Sequence, residues 1–405
     1  MREDRLGVGI GGVPGELPIY VGRVGATRLV LTEFRNYAAA RLDLDVSPVV
    51  LTGPNGAGKT NLLEAMSFLS PGRGLRSARL SDIDRRVGAS GDAAASGWAV
   101  AVTLKTMRGE LRIGTGRDGA GGERRVVRID GEPARGQAML GERLGVLWLT
   151  PQMDRLFIEG PAARRRLLDR LVLGLDPAHA TRVARYEQAM RERARLLREG
   201  PLHNGLGDPA WLAALEEIMA AEGVAVAAAR RDAIERLDEV CAAADGAFPR
   251  ARLSLVGTVE AWLDDMPALA AEDRLRAALA QRRTADGQAG GAGVGPHRSD
   301  LLVRHAEKGI AAEAASTGEQ KALLIAILLA QAQLQRTVRG EPPLLLLDEV
   351  AAHLDAVRRA ALFDIVAGLE SQVWITGTDV AMFAPLHGTA RFLSVNDGTL
   401  SDTEN

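Results

Sequence analysis

Apolar residues recur with a two-residue period near both ends of this chain and with helical spacing in between. Leu29 and Leu31 alternate with Arg28 and Thr32, and Leu42, Leu44 and Val46 alternate again after Asn36-Tyr37, which predicts two strands around a turn. The run Pro48-Val49-Val50-Leu51-Thr52 predicts a buried third strand, and residues 61–69 a helix after it. Residues 71–86 are polar and Arg-rich, the pattern of a surface loop. Strand signals return at 98–104, 110–114, 124–129 and 146–149, which predicts an antiparallel subsheet. From 161 to 247 Ala, Arg, Leu and Glu dominate with helical spacing, so an α-helical insertion is expected there. The glycine-rich stretch 287–295 reads as a linker back to the core. Beyond it the expected elements are a strand at 300–305, a long helix from Ser316 through 334 and a buried strand Leu344-Leu345-Leu346-Leu347-Asp348. A helix at 356–369 and strands at 372–376 and 391–395 complete the pattern.

Composition narrows the class without deciding function. A chain of 405 residues is long for one core and suggests two or three units. Hydrophobic content of 46% and charged content of 25% are ordinary for a soluble globular protein. The formal net charge of −2 excludes a basic protein overall but leaves room for a local basic face. Cys241 has no partner for an internal disulfide, so a reducing, cytoplasmic setting is expected, and a small buried hydrophobe is its simplest role. No apolar run approaches the roughly 18 residues of a membrane span. Residues 1–26 carry charges and glycines but no apolar signal core, and read as a flexible extension or an over-extended reading frame.

The chemistry begins at Gly53-Pro54-Asn55-Gly56-Ala57-Gly58-Lys59-Thr60, which fits G-x-x-x-x-G-K-[ST] between a predicted strand and helix. Backbone N–H groups of such a loop cradle phosphates, Lys59 reaches the β and γ oxygens, and the Thr60 hydroxyl holds Mg²⁺. The apolar strand ending in Asp348-Glu349 supplies the matching second half. Asp348 is expected in the Mg²⁺ shell and Glu349 as acceptor of a proton from the attacking water.

Asp348 follows Thr60 by 288 positions, more than a compact kinase or GTPase needs. Ser316-Thr317-Gly318-Glu319-Gln320-Lys321 opens the helix before the acidic strand and resembles the signature motif of the ABC-type ATPases. In those proteins the motif grips the γ-phosphate bound by the other subunit, a use compatible with an ordinary capped helix start. By the same resemblance Ala351-Ala352-His353-Leu354-Asp355 is a D-loop and Gln152, after Thr150-Pro151, a Q-loop residue acting on water and metal. A surface glutamine is the alternative for Gln152. The switch region Thr376-Gly377-Thr378-Asp379 lacks the usual histidine, which leaves Thr376 or Thr378 to sense the γ-phosphate.

Phe34-Arg35-Asn36-Tyr37, Gly295-Pro296-His297-Arg298-Ser299-Asp300, the signature stretch and Ile375-Thr376-Gly377-Thr378-Asp379, in this order, resemble the RecF family of bacterial DNA replication and repair proteins. The resemblance covers residue 27 to the C-terminus. It implies an α/β fold: a P-loop ABC-type ATPase head like that of the SMC proteins, with a mixed sheet, an antiparallel subsheet and an inserted α-helical second lobe. The implied layout is an ATPase lobe at 27–159 and 290–405 with the insertion at 160–289. ATP and Mg²⁺ are the implied ligands. Gly53, Pro54, Asn55, Gly56, Ala57, Gly58, Lys59, Thr60, Arg35, Asn36, Ser316, Gly318, Glu319 and Gln320 would bind nucleotide. Thr60, Asp348 and Gln152 would hold the metal, and Glu349, Asp348, Lys59 and Gln152 would serve catalysis. The resemblance further implies an ATP-dependent homodimer on DNA, slow DNA-stimulated hydrolysis, and work with RecO and RecR to load recombinase at gapped DNA, without a membrane.

Residues 164–199 hold ten arginines against five acidic residues. A solvated helix face explains such a run as well as a nucleic-acid surface does. The family resemblance favours DNA, with Arg164, Arg165 and Arg166 as the expected phosphate contacts. The chain departs from the family in its extension before Thr27 and in ending the acidic strand Asp-Glu where relatives often carry Asp-Asp. Two other readings are a transporter nucleotide-binding subunit, which would place its signature closer to the phosphate loop, and a non-hydrolysing ATP-binding scaffold.

Overall fold

The computed structural model of the chain describes residues 22–87, 92–93, 97–117, 122, 124–199 and 208–403. The expected extension thus lies, up to residue 21, outside the described residues. Among those described, strands β1 (Gly25–Phe34), β2 (Tyr37–Asp43), β3 (Val49–Thr52), β4 (Arg86–Val87), β5 (Asp92–Ala93), β6 (Ala99–Thr106), β7 (Gly109–Arg117), β8 (Arg125–Ile129), β9 (Glu132–Pro133) and β10 (Val146–Leu149) precede the insertion. Then come β11 (Ala251–Val256), β12 (Asp300–His305), β13 (Ile310–Ala311), β14 (Leu344–Leu347), β15 (Val373–Gly377), β16 (Arg391–Asn396) and β17 (Thr399–Asp402). The helices are α1 (Lys59–Ser67), α2 (Ala138–Arg143), α3 (Pro161–Leu175), α4 (His179–Glu199), α5 (Pro209–Ala243), α6 (Thr258–Asp265), α7 (Ala268–Gln281), α8 (Arg283–Ala289), α9 (Thr317–Arg339) and α10 (Ala356–Gly368).

A mixed sheet in the order β10-β14-β15-β3-β16-β17 forms the centre, parallel except for the β16–β17 pair. Its inner strands read as continuous apolar runs because both faces are buried. Val50, Leu147, Leu347 and Ile375 point into a core shared with α3, α9 and α10. Their alternates Val49, Leu51, Trp148, Leu346 and Trp374 point into a second core under α1 and the antiparallel sheet β2-β1-β6-β7-β8-β9. A third core fills the insertion, built by α4, α5 and α7 around Met219, Ala220, Val224 and Leu275. Parallel register aligns Leu149 with Leu347, Leu347 with Ile375, and Ile375 with Val50. The carboxyl ends of β10, β14, β15 and β3 therefore meet along one edge, where an open parallel sheet binds its ligand.

Several local expectations need correction. The first strand opens at Gly25, two residues early, because Val24 already bridges to Ser371 and its carbonyl accepts from Gln372 N at 2.7 Å. Residues 71–86 are not simply a polar surface loop: Leu75, Leu80 and Ile83 are buried, and Trp98 Nε1 donates to Leu80 O at 2.9 Å. Part of the supposed linker is helical, since α8 runs to Ala289 and ends at Gly290 in the left-handed region, φ 76°. The segment before residue 300 also contributes β11, which pairs antiparallel with β12 from Ala251↔His305 to Val256↔Asp300. β17 follows the strand expected to be last.

Candidate nucleotide site

At the edge where the strands converge, Gly53, Gly56 and Gly58 take φ of 144°, 82° and 117°, values that L side chains resist. A Cβ on Gly53 would stand 2.1 Å from Val395 O, so the loop lies directly on β16. Gly58 is the N-cap of α1, and the helix N-terminus faces the loop, the arrangement that favours anions. Residues from the neighbouring hairpin hold the loop from behind. Tyr37 Oη donates to Gly58 O at 3.1 Å and Asn36 Nδ2 to Ala57 O at 3.1 Å.

Lys59 is 5% exposed, and its Nζ donates to Gly53 O at 2.7 Å and Pro54 O at 2.9 Å. Burial lowers its pKa from the usual lysine value, while the nearby Glu349 and Asp348 carboxylates oppose the shift. Thr60 Oγ1 donates to the Asp348 carboxylate, 3.0 Å from Oδ1 and 3.1 Å from Oδ2. The other hydroxyl on Asp348 belongs to Thr376, which is fully buried and donates to Oδ1 at 2.8 Å. Thr376 Oγ1 also accepts from Glu349 N at 2.9 Å. Thr376 therefore fixes the Asp348 carboxylate and the Glu349 backbone from inside, and of the two switch candidates only Thr378 is exposed. Glu349 sits at φ 50°, a strained setting for a non-glycine residue that turns the chain away from the strand.

A cleft of about 200 Å³ is lined by Asn55, Gly56, Gly58, Lys59, Thr60, Asn61, Arg76 and Glu349. Arg76 comes from the segment read as a loop and was not anticipated. Its Nη1 donates to Asn61 Oδ1 at 2.6 Å and Glu64 Oε2 at 2.8 Å. Arg35, expected at the nucleotide, instead clasps the fully buried Glu64 with Nε at 2.9 Å and Nη2 at 2.7 Å. Asn36 accepts from Asn61 Nδ2 at 2.7 Å, so it braces the loop and helix together. Gln152 is exposed and lines a neighbouring cavity of about 710 Å³ with Trp148 and Arg170, outside the phosphate cleft.

The signature helix starts with a complete capping box. Ser316 Oγ accepts from Glu319 N at 3.4 Å, and Glu319 Oε2 accepts from Ser316 N at 3.0 Å. Lys308 pairs with the same Glu319, and together these bonds hold its carboxyl down at about 2. Thr317 remains exposed at the first turn, whereas Gln320 turns inward and donates to Ala315 O at 2.9 Å. Of the nucleotide residues expected here, Ser316, Gly318 and Glu319 thus form the outer rim of a helix start that stands apart from the phosphate cleft.

The arginine run is mostly structural. Arg164 forms a bidentate pair with Asp300, at 2.7 and 2.8 Å, that ties α3 to β12. Arg170 lies 4.4 Å over the Trp148 ring, and burial lowers its pKa to about 9. Arg193 is 1% exposed and reaches Glu216 at 3.0 Å and Asp286 at 2.9 Å. Arg185 pairs with Glu222 at 3.1 Å. Much of the apparent excess charge is therefore matched by carboxylates outside the run. Arg165 donates to Ser299 O at 2.9 Å, and Arg166 is exposed.

Phosphate loop, acidic strand and capped helix on one mixed sheet, interrupted by a helical lobe, define an SMC-type ABC ATPase head. The profile of the RecF/RecN/SMC N terminal domain matches residues 26–401. The DNA replication and repair protein RecF of Rhizobium meliloti is 51% identical over 385 residues, covering 94% of this chain and 99% of that protein. RecF of Agrobacterium fabrum is 50% identical over 382 residues, with 94% and 99% covered. The solved structure of the recombination mediator protein RecF-ATPrS in the RecFOR pathway superposes with TM-score 0.81 at 20% identity, covering 94% of this chain and 99% of that one, which is a likeness of fold. The chain belongs to the RecF family.

Proposed function

We propose that this protein is an ATP-hydrolysing switch of DNA replication and recombinational repair, closing as a homodimer on DNA and reopening after hydrolysis. The observation that carries the reading is the Asp348 carboxylate held between the Thr60 and Thr376 hydroxyls, which unites the phosphate loop with the acidic strand. The names of the relatives, and the nucleotide named with the solved RecF structure, support ATP and DNA as its ligands.

In the proposed reaction Lys59 exchanges the carbonyls of Gly53 and Pro54 for β- and γ-phosphate oxygens. Glu349 accepts a proton as water attacks the γ-phosphorus in line and the bond to the bridging oxygen of ADP breaks. The Thr60 hydroxyl and Asp348 carboxylate, 3.0 Å apart, are the hard oxygen donors that fit Mg²⁺, which binds through few protein ligands and otherwise through phosphates and water. When bound, Mg²⁺ neutralises charge on the β and γ oxygens. The partner's signature helix would close the site, its unpaired first-turn N–H groups meeting the γ-phosphate. Gln152 enters on the side of the neighbouring cavity as the cleft closes. RecO and RecR are the proposed partners at gapped DNA, which places the protein in the cytoplasm beside the nucleoid. Among the described residues no helix is long and apolar enough to cross a membrane.

The test is sizing of the full chain with ATP and with ADP, in the presence and absence of gapped DNA. A dimer with ATP that is prolonged by DNA and lost with ADP is expected. A monomer under every condition overturns the reading.

A further inference from the structure

The turn Gly295-Pro296-His297-Arg298-Ser299-Asp300 takes no part in the ATP chemistry, and most of it has a structural duty. A Cβ on Gly295, at φ 137°, would stand 2.2 Å from the Tyr186 hydroxyl. Pro296 O accepts from Arg230 Nη1 at 2.6 Å. The His297 ring bonds Tyr186 Oη at 2.6 Å and Ala292 O at 2.9 Å. Ser299 Oγ donates to Glu260 at 2.6 Å, and Asp300 holds Arg164. Arg298 differs, being exposed with no side-chain partner among the described residues. The whole turn acts as a rigid mount for that one guanidinium.

Facing the mount, α3 presents Arg165 and Arg166. Arg165 and Arg166 line a cavity of about 290 Å³ together with Arg230, Tyr186 and His297. The nearby carboxylates are already committed: Asp169 to Arg230 and His179, each at 2.8 Å, and Asp300 to Arg164 at 2.7 Å. Glu187, also on the wall, pairs with Arg191 at 3.4 Å. Positive charge is left over, and Arg165 registers it: burial and the repulsion of Arg230 and Arg298 lower its pKa against the pull of Asp300 and Asp169. Guanidiniums held on a firm frame without a carboxylate of their own suit an anion whose oxygens can take forked hydrogen bonds.

We propose that Arg165, Arg166 and Arg298 form a phosphate site at the seam between α3 and the 296–298 turn, and that its ligand is a phosphodiester of the DNA backbone. The assignment rests on the DNA reading above and narrows it to a place. Such contacts position a duplex without reading its bases.

The experiment is an anisotropy titration of the full chain with labelled gapped DNA at saturating ATP, repeated over a range of salt. Arg298→Ala and Arg166→Ala are each expected to weaken binding several-fold and to flatten the salt dependence by about 0.9 in log–log slope for each duplex phosphate no longer neutralised. Melting temperature and ATP affinity should stay at wild-type values, because both side chains are exposed. An unchanged slope in both variants, with a wild type that binds, overturns the site alone. If Arg298→Ala fails to fold, Arg166→Ala on its separate helix decides by the same slope. A wild type that binds no DNA even at low salt overturns the DNA reading and the site with it.

Discussion

Thr376 Oγ1 lies 2.8 Å from Asp348 Oδ1, donating to that carboxylate while it accepts from the Glu349 backbone N–H. One buried hydroxyl thus fixes the Asp348 carboxylate, proposed to hold metal, and the backbone of Glu349, proposed to accept the proton. Thr376→Val keeps the shape and removes both bonds. A fall in kcat of about 10- to 100-fold with a smaller change in KM is expected, an effect of about 1.4 to 2.8 kcal/mol on the barrier. Thr376→Ser should restore most of the rate. Steady-state phosphate release on the three proteins checks this, and a KM effect alone would contradict the positioning role.

Glu349→Gln leaves the backbone bond to Thr376 in place and takes away the proposed proton acceptor. Turnover should fall about 10²- to 10⁴-fold, the usual range for general base catalysis. ATP binding should persist, and the ATP-bound dimer should accumulate. Phosphate release together with size-exclusion profiles reads both outcomes.

Arg164→Ala is predicted to act on stability. The pair with Asp300 is largely shielded from solvent and links α3 to β12, so its loss should cost about 2 kcal/mol, as charged hydrogen bonds do. Urea unfolding measures that cost. The salt slope of DNA binding should remain as in the wild type, opposite to the expectation for Arg166→Ala.

Much of the candidate site was legible because its signals are local. The glycines of the phosphate loop recur at fixed offsets that a phosphate cradle requires, and Asp348 ends a run too apolar to be anything but a doubly buried strand. The arginine run was misleading for the opposite reason. Which guanidinium meets water depends on Glu216, Asp286 and Asp300, which are remote in the chain and come close only once the lobe has folded. Arg76 was hidden by its surroundings, a stretch whose Ser and Arg content masked the buried Leu75, Leu80 and Ile83. β11 escaped because its partner β12 lies across α6, α7 and α8, so no hairpin signal joined them.

The buried trio Arg193, Glu216 and Asp286 gives a third test of the insertion. Arg193→Ala leaves Glu216 to Arg283, at 2.6 Å, and Asp286 to the weaker Arg282 contact at 3.5 Å, so the loss expected is that of buried charged hydrogen bonds, about 2–3 kcal/mol. Chemical denaturation should show it as an early transition of the helical lobe.

Glu319 supplies a pH signature. Its pKa falls from 4.5 to about 2 in the folded chain, chiefly through Lys308 and then the Ser316 capping bonds. A carboxyl with a depressed folded pKa stabilises above its unfolded value, and that contribution fades as pH drops through the folded one. The difference in melting temperature between wild type and Glu319→Gln should be full near neutrality and shrink progressively between 4.5 and about 2.

Helix α5 spans 35 residues, about 52 Å at 1.5 Å per residue. One stretch of it packs on the signature helix α9, another on α4 and α7, and its Arg230 grips the turn that carries Arg298. A single stiff rod therefore joins the ATPase core to the turn that carries the proposed phosphate contact Arg298. Arg230 stands about one turn from Ala233, Ile234 and Leu237, which pack in the core shared with α9, so in the proposed cycle a shift of α9 would reach the turn over a short, jointless span.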